Sequence, residues 1–247
     1  MRSAAIIKDI TIGPCRMILG DSMAVLPLLD EKADMGCMDP PYPLTSGGNA
    51  VEVMGGLFSH AEYDNGGELM DMVRWDQMGG PIYRALKPSA DCYVMSNDKN
   101  LFAAHGGFTG AGFELHNILS WNKVRATRNR WYMKHNEFTL YFWKGTARVI
   151  NNCGSMQTFT LNAPRESGHP TEKPVALMAH YIENSSDIGD LVLDPFMGSG
   201  TTMIACVETG RRGVGIEKDP EYYEIACARV QAALDRQISD TRQEVRA

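Results

Sequence analysis

The segment Leu191-Val192-Leu193-Asp194-Pro195-Phe196-Met197-Gly198-Ser199-Gly200-Thr201-Thr202 constrains the fold more than any other stretch of the chain. An apolar run ends in an acid, turns on two glycines one residue apart, and opens a helix. Glycines at 198 and 200 let the backbone approach a ligand closely, because they carry no Cβ. The helix start behind them offers N–H groups with no partner inside the helix. About twenty residues on, Gly213-Val214-Gly215-Ile216-Glu217 reads as a second strand ending in a carboxylate, a common way to hold a ribose diol. A lone G-x-G turn is also an ordinary strand–helix connection. There is no G-x-x-x-x-G-K-[ST] run, so a phosphate-cradling loop is not supported.

The rest of the chain fits this start. Strands are predicted at 15–19, 34–38, 92–96, 114–121, 138–143, 191–194 and 213–217. Helices are predicted at 22–29, 69–86 (with an interruption at Gly79-Gly80-Pro81), 174–183, 201–209 and 220–234, with a frayed polar tail. Alternating strands and helices imply an α/β fold with a mostly parallel sheet, helices on both faces, and ligands at the carboxyl ends of the strands. The 247 residues are read as one domain, 1–247. Residues 43–67 hold paired glycines and little periodicity, and are read as a long mobile loop.

Composition excludes several classes. No apolar run is long enough to span a bilayer, and Met1 to Asp9 carries no apolar signal region, so a cytoplasmic protein is expected. Six cysteines without a CxxC pair argue against a zinc site or a disulfide framework, and no metal is expected. The net charge of −6 is unusual for a nucleic-acid binder, but the charge is uneven. Between Trp121 and Arg148, Lys123, Arg125, Arg128, Arg130, Lys134, Lys144 and Arg148 face Glu137 alone, giving +6 there and −12 elsewhere. That is the pattern of a local phosphate-binding face on an acidic body, or of a solvated charged loop.

Four motifs then stand in order. Gly20-Asp21-Ser22 follows an early strand, and Asp39-Pro40-Pro41-Tyr42 ends the next. His169-Pro170-Thr171-Glu172-Lys173-Pro174 precedes the glycine turn 194–202. In order and content these resemble the β class of DNA amino-methyltransferases, over about 15–234. The resemblance implies a Rossmann-like S-adenosyl-methionine-dependent methyltransferase fold. It places Asp194, Pro195, Phe196, Gly198, Ser199, Gly200 and Thr201 around the cofactor, with Asp21 and Ser22 near its adenine and Glu217 on its ribose. Thr171 and Lys173 are expected at its carboxylate. His169 is read as a structural loop residue.

Asp39-Pro40-Pro41-Tyr42 carries the chemistry in this reading. An exocyclic amine is a poor nucleophile, because its lone pair is delocalised into the ring. The Asp39 carboxylate and the Pro40 carbonyl can each accept an N–H and turn the lone pair toward a methyl donor. Pro40 and Pro41 fix the backbone in advance, and Tyr42 offers a face for an extruded base. Asp39 also lies among the expected cofactor neighbours. Asp-Pro-Pro-Tyr is typical of adenine-N6 enzymes, and Ser-Pro-Pro-Tyr more usual for cytosine-N4. The expectation is a site-specific adenine methyltransferase acting on double-stranded DNA, with cytosine-N4 as the alternative. An RNA or protein-amide methyltransferase, or a non-catalytic DNA-binding module, fits the motifs less well. Pro14-Cys15 suggests a C5 nucleophile, but Cys15 is read as a structural thiol.

Target recognition is expected at about 124–165, with Lys123, Arg125, Arg128 and Arg130 on DNA and Trp121 and Trp143 packed on strands. Relatives of this class are often dimers, so a homodimer is an expectation for which the sequence shows no interface. Relatives also occur in restriction–modification systems; the residues do not say whether an endonuclease partner exists.

Overall fold

The computed structural model describes residues 5–41, 73–127, 132–162 and 173–244. In chain order these form β1 (Ile6–Ile12), β2 (Cys15–Gly20), α1 (Ser22–Val25, continued by a 3₁₀ turn), β3 (Ala33–Met38), α2 (Trp75–Ala85) and β4 (Leu86–Ser96). They continue through α3 (Leu101–Gly110), β5 (Phe113–Thr127), β6 (Lys134–Lys144), β7 (Thr158–Thr160), α4 (Val175–Ser185), β8 (Leu191–Asp194), α5 (Thr201–Thr209), β9 (Arg212–Glu217) and α6 (Pro220–Glu244).

All nine strands join one sheet, ordered β1-β2-β9-β8-β3-β4-β6-β5-β7. The central five, β2, β9, β8, β3 and β4, run parallel. β1 and β6 pair antiparallel with their neighbours. A parallel strand is covered on both faces, so its sequence is apolar without alternation. β3 shows this: Met35 and Cys37 belong to one buried cluster, with Tyr181, Met203 and Tyr223. Met38 belongs to the other, with Met78, Ile82 and Phe108. α4, α5 and α6 therefore cover one face of the sheet, and α2 and α3 the other. This is the expected α/β architecture with helices on both sides.

Several elements depart from the sequence reading. Among the described residues β1 pairs with β2 alone, at the sheet edge, so it shows no strong burial pattern. α3 and the short edge strand β7 were not expected either. α2 runs unbroken through Gly79-Gly80-Pro81. Its small residues serve a tight helix crossing, where a Cβ on Gly79 would lie 2.5 Å from the Gly107 carbonyl of α3. The expected start of that helix at 69–72 lies outside the described residues, as does the whole 43–67 loop. α6 continues ten residues past its expected end, since nothing after Leu234 breaks a helix. β5 extends to Thr127, so the first part of the basic segment is strand rather than loop. Trp121 is buried as expected, while Trp143 is half-buried.

Five cysteines are buried and Cys153 is exposed. Burial pushes the Cys15 thiol up to about 12, and its Sγ lies 3.4 Å from the Met203 carbonyl, as suits a structural thiol. Among the described residues no helix is long and apolar enough to cross a membrane, and no His/Cys/Asp/Glu group could hold a metal.

On the α4 face, the rings of Tyr141, Tyr93 and Tyr181 stack at 4.7 Å spacings, and Asp91 is buried within hydrogen-bond reach of Tyr141. Tyr141 donates to Asp91 Oδ2 at 3.0 Å, while Oδ1 is buried without a hydrogen-bond partner among the described residues. Burial pushes this carboxyl up, against hydrogen bonds from Ser185 and Tyr141 and the charges of Arg148 and His116. A carboxyl raised on folding costs stability once it ionises, so its cost fades as pH falls through the raised value. Asp91→Asn is expected to raise stability at neutral pH by about 1 kcal/mol. The gain should shrink in weak acid. Urea unfolding at both pH values checks this, and a loss at neutral pH would count against it.

Candidate active site

The site is assembled at the carboxyl edge of the parallel strands. β3 and β8 are neighbours, with Gly36 paired to Leu193. Asp39 and Phe196 each lie three residues beyond that pair, so the acid of Asp39-Pro40-Pro41 and the glycine turn leave the sheet side by side. β9 lies against β8 on its other side, and β2 beyond it, with Leu19 paired to Glu217. Asp21, Glu217, the turn 195–200 and Asp39 thus line one continuous edge. Tyr42 and Thr171 lie outside the described residues, as does His169.

The turn is built from the inside. Asp194 is buried, and its Oδ1 accepts the Phe196 N–H at 3.0 Å. Burial pushes this carboxyl up to about 7, opposed by hydrogen bonds from Thr202 and the Phe196 N–H. Gly198 and Gly200 both adopt positive φ, 52° and 85°. Among the described residues, a Cβ on Gly198 would meet nothing nearer than the Phe196 carbonyl at 4.0 Å. Gly200 is different, because a Cβ would stand 3.0 Å from Ala226 Cβ and 3.2 Å from its Cα. Gly200 is also the N-cap of α5, and as a glycine it makes no side-chain cap hydrogen bond. Gly200→Ala must adopt a left-handed backbone and push α6 away. A loss of about 2–4 kcal/mol is expected, with weaker cofactor binding, read by thermal unfolding with and without cofactor. An unchanged melting temperature would contradict this packing.

Glu217 holds the turn from β9. Its Oε2 accepts the Gly198 N–H at 2.8 Å, and Oε1 accepts the N–H groups of Lys218 and Asp219 at 2.9 and 2.8 Å. A carboxylate has about four acceptor directions, so among the described residues one is left for a ligand hydroxyl. Asp21 Oδ1 caps α1 through the Ala24 N–H at 3.1 Å, and Oδ2 lies 3.9 Å from Lys218. Ser22 Oγ donates to the Pro195 carbonyl, tying α1 to the turn. Ser199 does not present its hydroxyl to the open side of the turn: Arg229 of α6 grips its Oγ at 2.7 Å and its carbonyl at 2.6 Å. Thr201 is buried at the start of α5. A glycine turn, a carboxylate beside it and a helix start with a glycine N-cap fit S-adenosyl-methionine. The turn and α5 would take its methionine part, and Glu217 its ribose.

Asp39 meets an unexpected partner. Lys173, next to the N-cap of α4, places Nζ 2.5 Å from Asp39 Oδ2 and 3.4 Å from Glu137 Oε2. Its side chain is only 6% exposed, so this is an interior cation and not a surface lysine. Asp39 Oδ1 is shielded and has no hydrogen-bond partner among the described residues. Burial pushes the Asp39 carboxyl up, the Lys173 charge and hydrogen bond pull it down, and Glu137 adds to the rise. Glu137 feels the same burial, but Lys173 and Lys123 outweigh it and hold its carboxyl below its usual value.

The expected DNA contacts divide. Arg125 is exposed on β5. Lys123, also on β5, is half-buried and pairs with Glu137, so the expectation that it reaches out to DNA is not what its side chain does here. Arg128 and Arg130 lie outside the described residues. Glu137 was absent from the sequence-derived site. Its only signal was being the single acid in the basic stretch.

Comparison with known proteins identifies the family and the fold. The DNA methylase profile for N6 and N4 amino-methyltransferases matches residues 33–228. The type II methyltransferase M2.DpnII of Streptococcus pneumoniae is 27% identical over 229 residues, covering 82% of this chain and 84% of that protein. M2.LlaDCHI of Lactococcus lactis subsp. cremoris is 26% identical over 242 residues, covering 87% and 88%. The structure of an M1.HpyAVI–SAM complex matches with a TM-score of 0.66 at 24% identity, over 86% of this chain and 97% of that one. The cytosine-N4-specific PvuII DNA methyltransferase matches with a TM-score of 0.64 at 17% identity, over 90% and 92%. These two share the fold. With a profile match over most of its length, the chain belongs to the S-adenosyl-methionine-dependent DNA methylases of the N6/N4 amino-methyltransferase family.

Proposed function

We propose that this protein methylates the N6 amine of adenine in double-stranded DNA, at a specific short sequence, by direct displacement on a flipped-out base. One observation carries the reading: Asp39 leaves β3 beside the glycine turn of β8, with one carboxylate oxygen held by Lys173 and the other shielded and without a hydrogen-bond partner among the described residues. S-adenosyl-methionine, when bound, supplies an electrophilic methyl group on a sulfonium.

The chain's residues do the rest. The Asp39 oxygen and the Pro40 carbonyl accept the two amine hydrogens and pull the nitrogen toward tetrahedral geometry. Pro41 removes an N–H that would compete for these acceptors. Asp39 stabilises the positive charge that grows on the amine, in a site where burial strengthens that interaction. Lys173 pulls the Asp39 carboxyl down against the rise that burial causes. Tyr42 stacks on the extruded base. Arg125 contacts DNA from β5, and Arg128 and Arg130, outside the described residues, are assigned to DNA with it by their charge. Adenine is favoured by the Asp-Pro-Pro-Tyr sequence. Cytosine N4 offers the same amine geometry, and a fold neighbour is cytosine-N4-specific. DNA from cells expressing the chain, digested to nucleosides and resolved by mass, is expected to contain N6-methyladenine. N4-methylcytosine in its place would replace the adenine reading, and neither product would remove both.

A further inference from the structure

Four charges of alternating sign run from Asp39 to the β5–β6 hairpin. Lys173 lies between Asp39 and Glu137, and the Lys123 ammonium meets the other oxygen of Glu137. The three pairs join elements far apart in sequence: the end of β3, the residue before the N-cap of α4, and two strands of the hairpin. Register explains the meeting. Glu137 is opposite Trp121 on β5, and the next residue, Phe138, is opposite Ser96, the last residue of β4. β6 thereby carries a carboxylate to the same sheet edge where Asp39 leaves β3.

Lys123 points inward along this line. Its ammonium stands 5.2 Å from the centre of the Trp121 ring. Trp121 is fully buried and anchored by its Nε1 donating to the Leu161 carbonyl at 2.8 Å. A lysine reaching for a phosphate extends into water. This one folds back onto an indole and a carboxylate, while Arg125 two residues on is exposed.

We propose that Lys123 and Glu137 are positioning residues for methyl transfer, acting through Lys173 on Asp39, rather than a DNA contact and its counter-ion. The proposal rests on Asp39 being the amine acceptor. A lysine ammonium is a compact charge on a flexible four-carbon stem, so its place is set by the acceptors around it. Glu137 Oε2 places a second carboxylate charge 3.4 Å from the Lys173 ammonium without a hydrogen bond among the described residues, and Lys123 pairs with its other oxygen. Without that counter-charge the Lys173 ammonium shifts relative to Asp39, and the Asp39 carboxylate shifts with it. A misplacement of about 1 Å at a reacting group costs up to about a hundredfold in rate.

The test compares Lys123→Met and Glu137→Gln, both nearly isosteric, with the double variant. Each is assayed at saturating DNA and cofactor, with melting temperature as the check on folding. Each single variant is expected to lose about tenfold in kcat with little change in the KM for DNA. The double variant should be no worse than the weaker single one, because the two act as one unit. A kcat loss below about fivefold overturns the proposal. A raised KM with a salt dependence shallower by about one unit would instead make Lys123 a phosphate contact. If one single variant fails to fold, the other is judged by the same kcat threshold. Full activity in Asp39→Ala would sink the reading beneath the proposal. An inactive Asp39→Ala beside unimpaired Lys123→Met and Glu137→Gln would sink the proposal alone.

Discussion

Asp39→Ala is expected to lower the rate of methyl transfer by about a thousandfold while leaving cofactor affinity within a few-fold. Two losses combine. The amine loses the acceptor that turns its lone pair toward the methyl group, and the growing positive charge loses its counter-charge. A single preorganised electrostatic partner is worth about 10²–10³ in rate, and a positioned acid–base group a similar amount. Cofactor affinity should survive because the turn 195–200 is held by Asp194 and Glu217, not by Asp39. The fold should survive too, since Lys173 keeps Glu137 at 3.4 Å as counter-ion. Single-turnover transfer of labelled methyl, with cofactor binding measured in parallel, separates these outcomes. A variant that transfers at the normal rate would remove Asp39 from the chemistry.

Lys173→Met comes second in expected size. Burial pushes the Asp39 carboxyl up, and Lys173 is the main group pulling it down. Removing the cation raises Asp39 further, so more of it is protonated at neutral pH and cannot accept both the charge and the hydrogen bond it is needed for. The acid limb of kcat should move to higher pH, with about a tenfold to hundredfold loss at neutral pH that recovers as pH rises. The sequence resemblance implies a different role, Lys173 at the cofactor carboxylate. That role predicts a raised KM for S-adenosyl-methionine and an unmoved acid limb. The pH profile of kcat beside the cofactor KM decides between them. The 2.5 Å contact with Asp39 favours the first.

The two predictions depend on different kinds of information. Asp39-Pro40-Pro41 and the turn 194–202 are contiguous. Their backbone restriction, their glycines and their position at strand ends follow from neighbours in sequence, so the residues alone were enough to find them. The central strands were legible for the same reason, being apolar on both faces. The edges were not. β1 and β7 each pair on one side only, and β7 has three residues, so neither leaves a periodic signal. The interruption read at Gly79-Gly80-Pro81 is absent from the helix, because small residues mark a chain break and a tight helix crossing alike. Only the packing of α2 on α3 tells them apart.

The sequence by itself determined the family, the glycine turn and the acid that faces it, because each is a local pattern read within a dozen residues. Only the tertiary structure decided what surrounds that acid. Lys173 is 134 positions from Asp39, and their meeting depends on sheet order and on where α4 begins. Glu137 reaches them through the β4–β6 register, and Lys123 turns inward because a buried indole lies beneath it. Charge in a sequence gives sign and number. Which charges pair, and how far from water, is fixed by strand register and burial, and a one-residue slip would turn Glu137 to the other face of the sheet.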